Sequence, residues 1–544
     1  MESSRARWRE LALVLLGFGA LTVALAYPVA FHLGTVGRID NGDGQLSIWN
    51  VAWVARTLVV DPLHVFDANI FYPHRWTLAY SETNLGAGAL AIPVYWATRN
   101  PYAAHNFVLL LSFVLSATGT YYLVRYLVDD RRAAVIAAIC FAYCPYVFSH
   151  LPHIQLLMTA GLPLSLLAFH RVADQPSARR GTVLGLTMAL QAFFCGYYAV
   201  FVVLMVGFSV LLVAAMRRLW TDRRYWGAIT AAAAVAIALA LPLFLPYSNL
   251  QHATGFTRAL ESARQFSADW RTYFASSARA HAWMLKLIGY WSELLFPGFV
   301  ALVFGVAGAA IGWSARGRLR EVSVLYASLG GLAYWGSLGP SAGLYSALYP
   351  TLPIFSLLHA PSRFGVIVTF ALAVLAGVGI SALLRRVSRP AVVACALAVV
   401  AAAELVVPLR FPEVPPLDPA YRVLAALPRG ALLEMPVYSP KFGFERTRYM
   451  LDSTAHWMPI VDAYSDYIPR DFNERAGVLG GFPTRESFKL LEADHVRYAV
   501  FHVDAYGPEN RLQLLDRLRE FAPYLREHYA GQHTALYEIV GFPQ

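Results

Sequence analysis

Long apolar stretches, one after another along the chain, constrain this sequence more than any other feature. They run over 11–31, 103–127, 133–150, 154–171, 181–195, 197–216, 227–247, 292–313, 322–339, 364–384 and 391–409. A helix that crosses a bilayer needs about 20 mostly apolar residues, so this pattern predicts an α-helical polytopic membrane protein with about 11 transmembrane helices. The stretch 181–216 is too long for one crossing at about 1.5 Å per residue, and Gly196, before Tyr197 and Tyr198, is where it divides. Residues 84–98 are apolar but short and contain Pro93, which suits a re-entrant or interfacial segment. Composition agrees: 57% of the 544 residues are hydrophobic and 14% are charged, whereas ordinary soluble domains carry roughly 25% charged residues.

The net charge of +10 comes almost wholly from arginine, the only lysines being Lys286, Lys441 and Lys489. Nineteen arginines gather in six clusters: Arg5/Arg7/Arg9, Arg125/Arg131/Arg132, Arg171/Arg179/Arg180, Arg217/Arg218/Arg223/Arg224, Arg316/Arg318/Arg320 and Arg385/Arg386/Arg389. With eleven spans all six fall on one side, while the short turns at 151–153 and 196 carry no Lys or Arg. The positive-inside rule then places the N-terminus in the cytoplasm and the C-terminus outside. The first apolar run lacks a small-residue cleavage site and is long enough to span, so it reads as a helix rather than a signal peptide. A bacterial inner membrane, crossed many times, is the expected location. The basic residues are topology signals, and no nucleic-acid partner is expected. No phosphate-binding Walker loop, zinc-finger spacing or Gly-x-Ser-x-Gly elbow occurs.

This topology gives a membrane domain over 1–409, with an outer loop at 32–102, and an extracytoplasmic α/β domain over 410–544, periplasmic or extracellular. A second outer piece covers 248–291. The C-terminal part opens on the proline-rich linker Phe411–Pro419. Within it Ala431–Met435, Tyr498–Val503 and Ala535–Val540 read as strands, and Leu512–Tyr529 as a helix by its 3.6-residue spacing. Cys140, Cys144, Cys195 and Cys395 all fall inside expected helices, so no disulfide framework supports the outer domain. Cys140 and Cys144 share a helix face, where two small buried residues are the expected reading rather than a metal pair.

Fourteen of the fifteen histidines fall on the outer side, all but His170. Outer loop 32–102 adds Asp40, Asp43, Asp61, Asp67, His74, Arg75 and Glu82. The stretch Gly37-Arg-Ile-Asp-Asn-Gly-Asp-Gly-Gln45 follows the first span and precedes an amphipathic run, Leu46–Val60, in which Trp49 and Trp53 have the spacing of interfacial anchors. Asp-Asn-Gly-Asp-Gly is also turn-forming by composition. The two readings are compatible, because catalytic residues often sit on loops. Glu82 is a carboxylate at the membrane edge, which calls for a partner; His74 and Arg75 could serve it, or a phosphate. Ser149-His-Leu-Pro-His-Ile-Gln155 brings His150, His153 and Gln155 into a tight outer turn, to bind phosphate or metal or to cap helix ends. Glu404, near the outer end of the last span, is either functional or hydrogen-bonded to a neighbouring helix. Arg363 stands at the outer edge of a span, where an arginine either forks a phosphate or snorkels to headgroups.

A carboxylate loop just after the first helix, an amphipathic helix behind it and an outer C-terminal domain together resemble the GT-C class of membrane glycosyltransferases. Asn100–Asn106, Phe141–Gln155, His359–Phe364, Arg448–Trp457 and Asp494–Val500 are similar to stretches of its bacterial members. The resemblance implies an enzyme that moves a sugar, with inversion, from a polyprenyl-phosphate donor to an envelope glycan, lipid or protein acceptor. It implies an outer-loop general base, which maps onto Asp43 first and Asp40 second, with Glu82 at the second acidic position. Such a base is worth typically ~10²–10⁴-fold. Arg363, then His150 or His153, would meet the departing phosphate. A divalent cation, Mg²⁺ or Mn²⁺, could be held by Asp43 and Glu82. Two other classes compete. A flippase for lipid-linked sugars would tend to show internal repeats, and none is evident. A non-catalytic glycan-binding component would leave the acidic loop replaceable.

Overall fold

The computed structural model describes residues 4–543 apart from 256, 290–292, 353–354 and 356–357. It divides into two compact units that interleave along the chain. The first comprises 1–31, 108–245 and 255–410, and the second 32–107, 246–254 and 411–544. Loop 32–102 therefore shares a unit with the C-terminal residues, whereas the linear division assigns it to the membrane part.

The first unit is helical, as its apolar runs require. Each of the eleven expected spans overlaps helix, and among the described residues seven are long and apolar enough to cross a membrane. Several boundaries differ. The span expected at 133–150 is Arg131–Ala142 followed by Pro145–Ser149, because Pro145 lacks the amide that would continue the helix. The span expected at 154–171 is broken into Ile154–Leu157 and Gly161–Asp174. The helix expected from 292 begins at Phe299, and Ser292 lies outside the described residues.

Small residues set the closest helix approaches. Gly305 and Gly308 of Phe299–Ser314 lie against the backbone of Gly365–Leu384 at Leu372 and Leu375, where a Cβ would collide. Some of the charges at the arginine-bearing ends are paired. Arg217 binds Glu321 (2.6 Å) and Asp174 (2.9 Å), and Arg318 binds the other oxygen of Asp174 (3.1 Å). Glu404 resolves as a structural group. It accepts the backbone amides of Phe299 and Val300 at the start of their helix and pairs with His281 at 2.9 Å, satisfying amides that a helix start leaves open. Cys140 and Cys144 are buried.

The second unit combines several helices with a small sheet. Helix Gly42–Val60 packs on Leu85–Thr98, and Gly88 allows the approach because any side chain there would strike Val54. Trp49 and Trp53 are not interfacial anchors. They are 1% and 6% exposed, stack on each other, and donate to Asn69 Oδ1 (3.2 Å) and the Val65 carbonyl (2.9 Å). The helix is thus covered on its tryptophan side by protein, and a buried indole N–H needs such an acceptor.

The sheet has four strands, β1 Ala431–Met435, β2 Val496–His502, β3 Leu525–Ala530 and β4 Thr534–Ile539, in the order β1-β2-β4-β3. β1 runs parallel to β2, with Leu432 opposite Tyr498; β4 is antiparallel to both neighbours. The expected helix Leu512–Tyr529 is in fact Pro508–Glu520 followed by β3. Pro523 helps end the helical run, and pairing with β4 overrides the 3.6-residue pattern beyond it. The core over the sheet is built from Leu433, Met435, Phe482, Phe488, Phe501 and Leu514.

Candidate active site

In the second unit the acidic loop is a helix start. Asn41 is the N-cap, its side-chain oxygen accepting the Gly44 amide at 2.8 Å, and Asp43 lies in the first turn of Gly42–Val60. Asp43 is half-buried. This end of a helix favours negative charge. Asp40 differs: both its oxygens are bound by Arg38, at 2.9 and 3.1 Å, the bidentate fork that holds a carboxylate most firmly. The loop is pinned from several sides. Gln45 donates to the Ile39 carbonyl (2.9 Å) and accepts from Thr447 Oγ1 (2.8 Å). Asn106 Nδ2 donates to the carbonyls of Leu33 (2.9 Å) and Val36 (2.8 Å), and Asn100 Nδ2 to that of Gly34 (3.0 Å). The Asn100–Asn106 motif is therefore a clamp on the chain entering the acidic turn.

Glu82 precedes helix Leu85–Thr98, and its carbonyl accepts from Asn50 Nδ2 at 3.0 Å. Asn50 is seven residues beyond Asp43, roughly 10 Å along the helix. Beside Glu82, Tyr247 donates to the Ser81 carbonyl (2.9 Å) and Ser81 Oγ to Asp466 (3.3 Å). His74 does not meet Glu82; it pairs with Asp471 at 3.1 Å, and Arg75 is exposed.

The C-terminal motif Arg448–Trp457 packs against this same helix. Trp457 lies 5.7 Å from Trp53, Arg56 sits over Trp457 at 5.5 Å, and Asn69 Nδ2 donates to Ser453 Oγ (3.0 Å). Beneath it Arg446 and Asp462, both fully buried, pair at 3.2 Å. Burial pushes the Asp462 carboxyl up to about 7, against the pull of Arg446.

The first unit gathers a separate cluster. His150 caps helix Pro145–Ser149, His153 precedes Ile154–Leu157, Tyr197 opens Gly196–Arg217, and Arg363 lies in the 3-10 turn Pro361–Phe364. The Arg363 guanidinium sits 4.6 Å from the Tyr197 ring centre, and no carboxylate among the described residues pairs with it. His150 Nδ1 lies 2.8 Å from the Tyr146 carbonyl and its Nε2 is 3.6 Å from Glu293. Ser362 also donates to Glu293, at 3.3 Å. Burial, aided by positive neighbours, pushes His153 and His359 down to about 3. At neutral pH these histidines are uncharged, so the positive charge comes from Arg363 and Arg258, which acts on His359. Gln155 is half-exposed in the same turn.

The structure thus brings His150, His153 and Arg363 together, and adds Arg258, His359 and Glu293, which sequence inspection missed. His359 had a signal, four residues before Arg363 in a motif already noted. Glu293 had one too, as an acid at the start of the apolar stretch 292–313, whereas Arg258 lies in a stretch without periodicity. For a metal, the donors on hand in the acidic loop are two carboxylates on separate elements. Among the described residues no group of three or more His, Cys, Asp or Glu could hold an ion, so Asp43 and Glu82 do not by themselves make a metal site.

A family model described as dolichyl-phosphate-mannose-protein mannosyltransferase matches residues 98–246. Among solved structures, the arabinofuranosyltransferase AftD from mycobacteria superposes over 99% of this chain with a TM-score of 0.59 at 13% identity. The chain shares the fold of this arabinofuranosyltransferase. A point mutant of AftD gives a TM-score of 0.55 at 16% identity over 100% of the chain. The oligosaccharyltransferase AglB from Archaeoglobus fulgidus, at 14% identity over 98% of this chain and 74% of its own, scores 0.47, below a shared-fold level. This chain spans 40% of AftD's length and 42% of the mutant's. No curated protein matches it.

Proposed function

We propose that this chain is a membrane glycosyltransferase that moves a sugar from a polyprenyl-phosphate donor to an acceptor hydroxyl on the outer face of a bacterial inner membrane. One observation carries the reading: Asp43 stands half-buried on the capped first turn of helix Gly42–Val60, in a segment that Asn41, Gln45 and Thr447 hold in place. A general base has to be held in place and have an oxygen within hydrogen-bond reach of the hydroxyl. Asp43 takes the acceptor proton as the acceptor oxygen attacks the anomeric carbon. The bond from that carbon to the phosphate oxygen breaks, the configuration inverts, and the electron pair leaves on the lipid phosphate. Arg363 and Arg258 supply fixed positive charge for that phosphate, and His150, His153 and Gln155 supply further hydrogen-bonding groups. Glu82 holds the acceptor side of the loop.

The mannosyltransferase family segment and the AftD-like fold support the donor class, since both names are of glycosyl transfer. The acceptor is an envelope glycan, lipid or protein. Mg²⁺ or Mn²⁺ would reach Asp43 only with substrate oxygens completing its shell, and retained transfer after chelation removes it from the reaction. The arginine clusters support a cytoplasmic N-terminus and a periplasmic or extracellular C-terminal part. The test is transfer from radiolabelled polyprenyl-phosphate pentoses and hexoses in membranes holding the full chain. Transfer by the wild type that Asp43→Asn abolishes, at equal protein level, supports the assignment. Full transfer by Asp43→Asn would remove the base from this residue.

A further inference from the structure

Helix Ser4–Leu25 is poorly covered by the rest of its unit. Trp8, Leu13 and Leu16 are each about 70% exposed, and Phe18 is among its few buried side chains. Between this helix and the helices Pro101–Val128 and Arg131–Ala142 runs a groove of about 830 Å³. Its walls are apolar along most of its length, with Leu13, Phe18, Leu21, Val135 and Ile139, and its mouth holds Arg5, Arg9 and Arg131. The one acid there, Glu10, is already consumed: it pairs with Arg125 (2.9 Å) and Arg131 (3.2 Å) and accepts from Tyr121 (2.5 Å). No carboxylate among the described residues pairs with Arg5 or Arg9. Gly17 forms part of the wall, and a Cβ built on it meets nothing within 4 Å.

Charge and length together identify the occupant. From Arg9 to Leu21 the helix covers roughly 18 Å. One leaflet of hydrocarbon is about 15 Å deep, half of a core of about 30 Å. A groove with cations at its mouth and one leaflet of apolar wall matches a membrane phospholipid with an anionic head, not the much longer chain of a polyprenyl carrier. We propose that this groove is a binding site for an anionic glycerophospholipid, its phosphate on Arg5 and Arg9 and one acyl chain along Gly17 and Phe18. The site is distinct from the acidic turn and from the Arg363 cluster. The lipid would hold the otherwise uncovered first helix against its neighbours.

The test uses the full chain in nanodiscs of equimolar phosphatidylglycerol and phosphatidylethanolamine, with retained lipid read by native mass spectrometry. The wild type is expected to keep phosphatidylglycerol in more than tenfold preference. Arg5→Gln and Arg9→Gln each lower that preference about fivefold, as expected for a surface cation beside an anionic lipid. Gly17→Phe, which fills the wall, removes retained lipid of both kinds. Gly207→Phe, a substitution on another helix where a Cβ also meets nothing within 4 Å, leaves retention unchanged and controls for folding. Retention in the bulk ratio by the wild type, undiminished lipid in Gly17→Phe, or equal loss in Gly207→Phe would overturn the proposal.

Discussion

The acidic turn and the arginine–histidine cluster achieve precision by opposite means. The turn is one short segment, Ile39–Gln45, fixed by its own cap, by the Gln45 amide on the Ile39 carbonyl and by the Thr447 hydroxyl on the Gln45 side chain. The cluster is not one segment, although the Tyr197 hydroxyl clasps the backbone of Ala360, meeting its amide and its carbonyl at 2.9 Å each. Arg258, the turn with His150 and His153, Tyr197, Glu293 and Arg363 come from five separate places in the chain and converge through tertiary packing. A site of the first kind concentrates its chemistry in one irreplaceable group, while a site of the second kind spreads one electrostatic task over several donors. Loss of the key group should therefore be steep in the turn and graded in the cluster.

The largest effect should be Asp43→Asn, which lowers transfer by ~10²–10⁴-fold, the usual worth of a general base. Asp40→Asn breaks only its bond to Arg38, and should cost less than about tenfold. The ratio of the two variants in one radiolabel assay is the sharpest measure of the difference between neighbours three residues apart. Equal losses would mean that the turn acts as a pair, and the contrast with the distributed cluster would fail.

Next comes the prop beneath the turn. Asp462 sits fully buried on Arg446, in the segment whose Thr447 bonds Gln45. Its carboxyl is pushed by burial from the ordinary 3.8 up to about 7. The folded state therefore holds a proton that the unfolded chain has lost between about pH 4 and pH 7. Stability from this group is fully present below pH 4 and falls as pH rises to 7, by up to about 4 kcal/mol. Thermal unfolding of the detergent-solubilised chain should show a lower Tm at pH 8 than at pH 5, and Asp462→Asn should reduce that slope, leaving the share of Asp452, which burial also pushes up to about 7. A slope of the same size in the variant would place the titrating group elsewhere.

Much of this architecture was legible in advance, and what was not has a common cause. Apolar runs set by the bilayer are one-dimensional signals, so all eleven stretches overlap helix. Asp43, next to a capping asparagine, is equally local. Trp49 and Trp53 were misjudged because an i, i+4 aromatic pair looks the same against lipid or against protein, and only the distant Asn69 and Trp457 decide. Strand β3 was read as helix because its pairing with β4 lies outside any local window. Arg258 gave no signal for the same reason: its meaning is the neighbour, and the neighbour is far away in sequence.

Within the cluster, Arg363→Gln should lower kcat/KM for the donor by ~10–100-fold, the worth of one hydrogen bond to a charged group at about 1.5–3 kcal/mol. Arg363→Lys should recover part of it, since a point charge replaces the fork. A loss as large as that of Asp43→Asn would mean that Arg258 and the histidines share none of the load, and the cluster would then resemble the turn.

The smallest effect is expected where a residue was assigned to phosphate and the structure instead gives it a carboxylate. His74 faces Asp471 at 3.1 Å, with side chains 30% and 51% exposed. An exposed pair of this kind contributes between about zero and 1 kcal/mol, and a histidine already facing an acid is poorly placed to receive a second anion. His74→Gln should shift Tm by no more than a few degrees and leave the KM for the donor unchanged, as should Asp471→Asn. A rise in donor KM in His74→Gln alone would show that the phosphate reaches the acidic loop after all, and the division of labour between a local turn and an assembled cluster would have to be redrawn.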